Sequence, residues 1–169
     1  KLFEFKDLSD MVPPDRVSEF TSRDISSLPF DRHAINFGLR YSIRKRPDGS
    51  DDGGLYAKQV FSKIHSAMSK CDVVIIATDT DPSGTGDLLA WDIINQSGFG
   101  GKVLRCRFPD EEVCSLQQSL LPNSLEEVSY SDPLVQSCLA QSKFDYYTIQ
   151  YSRITSYFAL SKSTISYKD

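Results

Sequence analysis

Hydrophobic residues along the chain fall into patterns with helical spacing and patterns with strand spacing. In the segment 55–70, the apolar residues from Val60 to Met68 recur at intervals of three and four, which predicts an amphipathic helix. The segment 88–96 is apolar on nearly all sides and is followed by Gly98. We therefore expect a buried helix that ends where glycine adopts the left-handed conformation of a helix cap.

Two short segments have strand patterns. Residues 73–76 are a continuous run of Val and Ile, which is typical of a parallel strand buried on both faces. Residues 102–108, "KVLRCRF", alternate with a period of two, so Leu104 lies on one side and Arg105 and Arg107 lie on the other. We expect these two arginines to face a site.

The order of these elements predicts an α/β fold with a mostly parallel sheet and flanking helices. A further helix is predicted from Asp110, and it ends before Pro122. From about Ser131 the sequence changes to one long helical pattern rich in aromatic residues. We therefore predict an α/β domain over residues 1–128 and a separate helical unit that opens over residues 129–169.

Composition limits the classes of function. The 169 residues are 40% hydrophobic, which is enough for a core. The net charge of −4 gives no global attraction to nucleic acid, so a DNA contact must come from local basic residues. Four singly spaced cysteines are interpreted as reduced core residues: Cys71, Cys106, Cys114 and Cys138. No membrane-length apolar run or leader is recognised, so we expect a cytoplasmic protein.

The segment "TDTDPSGTGD", residues 78–87, carries the main candidate chemistry. Asp79 and Asp81 follow the predicted strand and are two residues apart, so on extended backbone their carboxylates point the same way and can share Mg²⁺. The helix that begins near Asp87 directs backbone N–H groups toward a phosphate. Aspartates also cap turns and helices, so spacing alone leaves the metal site and a structural role open.

The wider sequence "ATDTDPSGTGDLLAW" resembles the Toprim domain of type IA DNA topoisomerases, whose pattern is Ala-Thr-Asp-x-Asp-Arg-Glu-Gly-Glu-x-Ile-Ala-Trp after a hydrophobic strand. The resemblance continues in order along the chain, with "LFEF", "LPF" and "VLRCRF" similar to other family segments. The stretch "AQSKFDYYTIQYSR" is similar to the start of the family's helical domain. The resemblance thus identifies residues 1–128 as a Toprim-like domain that lacks its first strand, and residues 129–169 as the opening helix of the topoisomerase helical domain.

The family resemblance implies a Mg²⁺-assisted enzyme that cleaves and rejoins single-stranded DNA through a tyrosine in another domain of the polypeptide. Asp79 and Asp81 match two metal ligands. Asp87 matches the second glutamate of the family pattern, so it is a candidate third metal ligand, with an ordinary helix N-terminal carboxylate as the alternative. The first-strand glutamate and the nucleophilic tyrosine are expected outside this chain, whose own tyrosines 146, 147 and 151 are interpreted as packing residues. Arg105, Arg107 and Arg153 are candidate DNA contacts.

The sequence also departs from the family pattern. Pro82 and Ser83 stand where the family has an arginine and a glutamate, so one acidic ligand and one cation are missing. The segment "DTDPSG" is similar to the acidic loop of bacterial primases, another Toprim group. The alternatives are therefore a primase-like or nuclease-like Toprim protein, or a catalytically degenerate DNA-binding module of a plasmid or mobile-element protein.

Overall fold

The computed structural model describes residues 1–110 and 112–165, with side chains up to residue 161, and this part of the chain has a mixed α/β fold. Its helices are α1 (Val17–Thr21), α2 (Leu55–Met68), α3 (Thr85–Ser97), α4 (Val113–Ser119) and α5 (Pro133–Ile165). Its strands are β1 (Phe3–Phe5), β2 (Leu39–Tyr41), β3 (Val73–Ile76), β4 (Lys102–Arg105) and β5 (Glu126–Glu127). None of the described helices is long and apolar enough to cross a membrane.

The chain folds into two compact units. Among the described residues, the first contains residues 1–4 and 41–140, and the second contains residues 5–40 and 141–165. The chain therefore passes between the units within β1, within β2 and within α5. This grouping differs from the predicted linear division at residue 128, because residues 5–40 belong with the aromatic part of α5.

The sheet of the first unit has three strands in the order β3, β4, β5. Strands β3 and β4 are parallel, with Ile76 opposite Arg105, whereas β5 runs antiparallel to β4, with Glu127 opposite Leu104. The predicted parallel pairing is confirmed for β3 and β4. The third strand makes the sheet mixed.

Strand β3 is where the sequence predicts, but its predicted burial on both faces is wrong. Ile76 is 3% exposed, whereas Val73 and Ile75 are 44% and 42% exposed. The reason is that β3 is an edge strand and that the helices of the first unit bury only the face that carries Val74 and Ile76. Continuous apolar sequence therefore did not distinguish a strand buried on one face from one buried on two.

The core of the first unit joins this sheet face to three helices. Met68 of α2, Trp91 of α3 and Val135 of α5 pack with Ile76 and Val103 of the sheet. The helix predicted around residues 88–96 is confirmed, and it ends at Gly98, whose φ of 68° is left-handed. All four cysteines are free thiols; Cys106 and Cys138 are buried, but Cys71 and Cys114 are exposed, so the core interpretation is wrong for the latter two.

The second unit has an aromatic core. The Phe20 and Phe30 rings stack with centroids 5.2 Å apart, and the Phe30 backbone N–H donates to the Tyr151 hydroxyl at 3.1 Å. Tyr146 and Tyr147 pack against the same cluster. Their predicted role as packing aromatics of the long helix is confirmed.

Candidate functional site

The acidic loop, defined as residues 77–84, joins the carboxyl end of β3 to α3. Its turns are closed by the backbone: Asp81 N–H donates to Asp79 O, and Gly84 N–H donates to Asp81 O, both at 3.0 Å. Gly84 has a φ of 74°, which glycine adopts without strain, and Leu88 N–H donates to its carbonyl at 2.9 Å as α3 begins. The loop thus has a defined shape.

Asp81 is held by the serine two residues later. Ser83 donates to its carboxylate from the backbone N–H, at 2.9 Å, and from the side-chain hydroxyl. These two hydrogen bonds hold the pKa of Asp81 below the ordinary value for aspartate, and the bond from the hydroxyl has the larger effect. Asp81 is therefore ionised at neutral pH.

Asp79 is exposed, and its backbone carbonyl has two donors. The carbonyl accepts from Asp81 N–H at 3.0 Å and from Arg105 Nη2 at 3.0 Å. Among the residues that the structure describes, none donates a hydrogen bond to its carboxylate. The Asp79 carboxylate is thus open to solvent and to a ligand.

Asp87, in the first turn of α3, is not placed with Asp79 and Asp81. Asp87 is only 6% exposed, and its Oδ1 lies 2.6 Å from Arg105 Nε. The predicted role as a third metal ligand is therefore not supported by the geometry, because the carboxylate points inward and its charge is already compensated. An anion at a helix N-terminus is also favoured by the helix dipole.

Arg105 is completely buried, so its predicted contact with DNA needs correction. Its side chain is 0% exposed, and Nη1 donates to Thr78 O at 2.8 Å, Cys106 O at 2.7 Å and Ile76 O at 3.2 Å. The predicted alternation holds in β4, but the side that carries Arg105 faces the core and not a surface site, because the register places Arg105 beside Ile76 on the core face. A phosphate outside the protein cannot reach this guanidinium.

The other two candidate DNA contacts lie at the surface. Arg107 Nε donates to the Glu126 carboxylate at 3.0 Å, and its side chain is 36% exposed. Arg153 is an exposed residue of α5 in the second unit. Both remain predictions as DNA contacts.

Gly86 packs the start of α3 directly against the acidic loop. A Cβ atom at this position would lie 2.9 Å from Thr78 Oγ1 and 3.2 Å from Asp79 O. The close approach at Gly86 is therefore an internal contact between α3 and the loop. The Thr78 hydroxyl itself is buried without a hydrogen-bond partner among the described residues, a feature that the sequence did not signal.

The donor set decides which cation could fit. Across the described residues, no group of three or more His, Cys, Asp or Glu side chains is placed to hold a metal ion. A centre made only of protein ligands is therefore not present in this part of the chain. Asp79 and Asp81 lie on a closed turn and not on the extended backbone that the sequence predicted. Two carboxylates of one loop, completed by water, suit Mg²⁺, which is commonly bound by one or two carboxylates plus substrate phosphates.

None of the protein-family models scanned matches the chain, and neither does any of the curated proteins searched.

Proposed function

We propose that this chain provides the Toprim-like, Mg²⁺-binding part of a type IA DNA topoisomerase, in which Asp79 and Asp81 bind the cation beside a DNA phosphodiester. One observation carries the proposal: both residues lie in the loop that leaves the carboxyl end of β3, a strand with a parallel neighbour, and that leads into α3. Ligand sites of open α/β sheets gather outside the carboxyl ends of their strands.

The electrostatics of the loop support cation binding at these two residues. Ser83 keeps Asp81 ionised, and the Asp79 carboxylate is exposed. When bound, Mg²⁺ would neutralise and orient the phosphoryl oxygens of a broken or intact phosphodiester. The protein's own contribution is to hold two carboxylates on a loop of defined shape.

The partner of this site is single-stranded DNA. The backbone N–H groups in the first turn of α3 lie immediately after the acidic loop, where they favour a phosphate. Arg107 and Arg153 are the exposed arginines proposed to contact the DNA backbone. As in the family that the sequence resembles, the nucleophilic tyrosine would come from another domain of the same cytoplasmic polypeptide.

A second candidate function is a DNA-binding module without catalytic metal. It is favoured by one observation: Asp87 is paired with Arg105, which leaves the loop with two carboxylates instead of three. Such a module would bind DNA through its surface arginines. Its DNA affinity would not depend on Mg²⁺.

Mg²⁺ titration followed by amide NMR tests the proposed function. We expect saturable shifts in residues 78–84 of the wild type, and loss of those shifts in Asp79→Asn/Asp81→Asn. The matched control is Asp72→Asn, because Asp72 is an exposed aspartate at the opposite end of the same strand. Absence of saturable shifts in the wild type, or equal binding by the double variant, would overturn the metal site.

The two candidate functions separate in a DNA-binding assay. Fluorescence anisotropy with a single-stranded oligonucleotide is measured with Mg²⁺ and with EDTA, for the wild type and for Asp79→Asn/Asp81→Asn. The topoisomerase role predicts an effect of Mg²⁺ that the double variant loses. DNA binding that is identical in Mg²⁺ and EDTA favours the module without metal.

A further inference from the structure

We propose that Arg105, held in place by Asp87, is a positioning residue that fixes the acidic loop from beneath and thereby sets the cation affinity of Asp79 and Asp81. Arg105 does this without touching the cation. The part of this role that concerns Mg²⁺ rests on the proposed function, whereas the part that concerns the loop does not.

The guanidinium donates hydrogen bonds to several backbone carbonyls at the point where the chain leaves the sheet. It donates to Ile76 O, Thr78 O and Asp79 O, and also to Cys106 O beyond the end of its own strand. Ile76 O also accepts from the Cys106 N–H, at 2.9 Å, so it keeps its ladder partner. Thr78 O and Cys106 O have the guanidinium as their one donor among the described residues, and carbonyls without a partner are costly to bury. The planar, multi-donor guanidinium can satisfy several of them at once, which a lysine ammonium cannot reproduce.

The contact with Asp79 O links this anchor to both carboxyl residues. Asp79 O accepts from Arg105 Nη2 and from Asp81 N–H, each at 3.0 Å. A shift of this carbonyl therefore changes the turn that separates Asp79 from Asp81. The distance between their carboxylates depends on a side chain 26 residues further along the chain.

Asp87 acts on Arg105 through its position and through its charge. Its carboxylate oxygen lies 2.6 Å from Nε, an ion-pair distance, although Nε makes no hydrogen bond among the described residues. Its charge compensates a cation buried beneath the acidic loop. Without it, an unpaired buried cation would oppose binding of Mg²⁺ above it. Outer partners that orient metal ligands typically change metal affinity by about 10- to 100-fold when they are removed.

Two measurements on the whole chain test this role. The first is hydrogen exchange of the Asp81 and Gly84 amides, which report the loop turns, with the Trp91 amide of α3 as a check that the fold is intact. The second is the Mg²⁺ dissociation constant. The variants are Arg105→Lys, Asp87→Asn and the double variant, with Lys102→Arg as the matched control, because Lys102 makes an exposed ion pair with Glu127 on the same strand.

For Arg105→Lys we expect loop exchange to be faster and Mg²⁺ binding to be weaker, each by about 10-fold or more, while the control changes less than about 2-fold. Because Arg105 and Asp87 act as one unit, the double variant should lose little more than the worse single variant. Independent, multiplying effects would instead assign Asp87 as a direct ligand and overturn the shared role. Should Arg105→Lys unfold, Asp87→Glu, which keeps the charge and moves the carboxylate, gives the same comparison.

The results also separate this role from the proposed function. If the wild type does not bind Mg²⁺, the proposed function fails, and the exchange rates of Asp81 and Gly84 still decide whether Arg105 holds the loop. If Mg²⁺ binds but loop exchange and affinity are unchanged in Arg105→Lys and Asp87→Glu, the positioning role is overturned and the metal site stands.

Discussion

Arg105 Nε lies 2.6 Å from Asp87 Oδ1 in the interior of the first unit, where the two side chains are 0% and 8% exposed. The pair joins the end of β4 to the first turn of α3, and the same guanidinium holds the carbonyls of the acidic loop. A single ion pair thus connects the sheet, the helix and the candidate site.

Breaking this pair is expected to be costly for stability. Asp87→Ala leaves a buried guanidinium without its counter-charge, and we expect a loss of about 3–5 kcal/mol in the free energy of unfolding. Glu126→Ala, which breaks the exposed pair with Arg107, should cost no more than about 1 kcal/mol. Urea unfolding measures both, and equal costs would contradict the difference in burial.

Gly86 should not tolerate a side chain. In Gly86→Ala the new Cβ meets Thr78 Oγ1 at 2.9 Å, so the loop or the helix must move. Overpacking of this kind costs about 1–3 kcal/mol, partly offset by up to about 1 kcal/mol from the better helix propensity of alanine. Thermal unfolding should therefore show net destabilisation.

Gly100→Ala is the control for this substitution. Apart from its two chain neighbours, no described residue has an atom within 4 Å of a Cβ at Gly100, so the stability of this variant should differ from the wild type by less than about 0.5 kcal/mol. A Gly86→Ala variant as stable as Gly100→Ala would show that α3 is not in tight contact with the acidic loop at Gly86.

Sequence patterns predicted the elements that carry the site but not the contacts that shape it. Helices α2 and α3, strand β3 and the parallel β3–β4 pairing follow from local periodicity and from Gly98. Arg105 was misplaced, because alternation treats a charged residue between apolar neighbours as outward-facing. Its acceptors and its counter-charge come from Ile76, Thr78 and Asp87, which are remote in sequence.

A signal for this pair is present in the sequence. Asp87 is followed in α3 by the apolar run LLAW, and Arg105 stands between the apolar residues Leu104 and Cys106. Buried charges are rarely left unpaired, so two opposite charges in neighbouring buried elements predict each other. The association of residues 5–40 with the aromatic part of α5 had no comparable local signal.

The Ser83 hydroxyl should control the titration of Asp81. In the folded state the pKa of Asp81 lies below the ordinary aspartate pKa. The Ser83 contacts therefore stabilise the folded state fully at pH values above the ordinary pKa, and this stabilisation is lost as pH falls through the lower, folded pKa. Ser83→Ala removes the largest cause, so we expect the Asp81 pKa to rise and Mg²⁺ binding to be lost at a higher pH. Carboxyl-carbon NMR titration of Asp81 measures this shift.

Thr80→Val is the control for Ser83→Ala within the same loop. The Thr80 hydroxyl bonds to Phe108 O and not to Asp81, so the Asp81 pKa should not change in this variant. An unchanged Asp81 pKa in Ser83→Ala would show that the serine hydroxyl does not hold the carboxylate in solution.

Adjacent isoleucines of β3 should differ sharply in their contribution to stability. Ile76 is 3% exposed and Ile75 is 42% exposed. Ile76→Ala is expected to lower the free energy of unfolding by about 2–5 kcal/mol, and Ile75→Ala by about 1 kcal/mol, because little of its side chain leaves a packed environment. Chemical denaturation compares them, and equal losses would mean that the second face of the strand is covered in solution.

Asp92, in α3, should lower stability at neutral pH. Burial raises its pKa to about 6, against an opposing effect of Lys1. The folded state therefore keeps a proton that the unfolded chain releases near the ordinary aspartate value of 3.8, so the Asp92 contribution weakens stability as pH rises from about 4 to about 6 and stays unfavourable above that.

Asp92→Asn tests this assignment by removing the ionisation without changing the size of the side chain. At pH 7 we expect a gain of roughly 1 kcal/mol, since solvent screening of a partly exposed group reduces the effect of its pKa shift. At pH 4 the gain should be much smaller, because the folded Asp92 is then protonated and the unfolded residue is only partly ionised. Urea midpoints at the two pH values measure the difference, with exposed Asp72→Asn as the control, and a gain that does not grow with pH would contradict a raised pKa for Asp92.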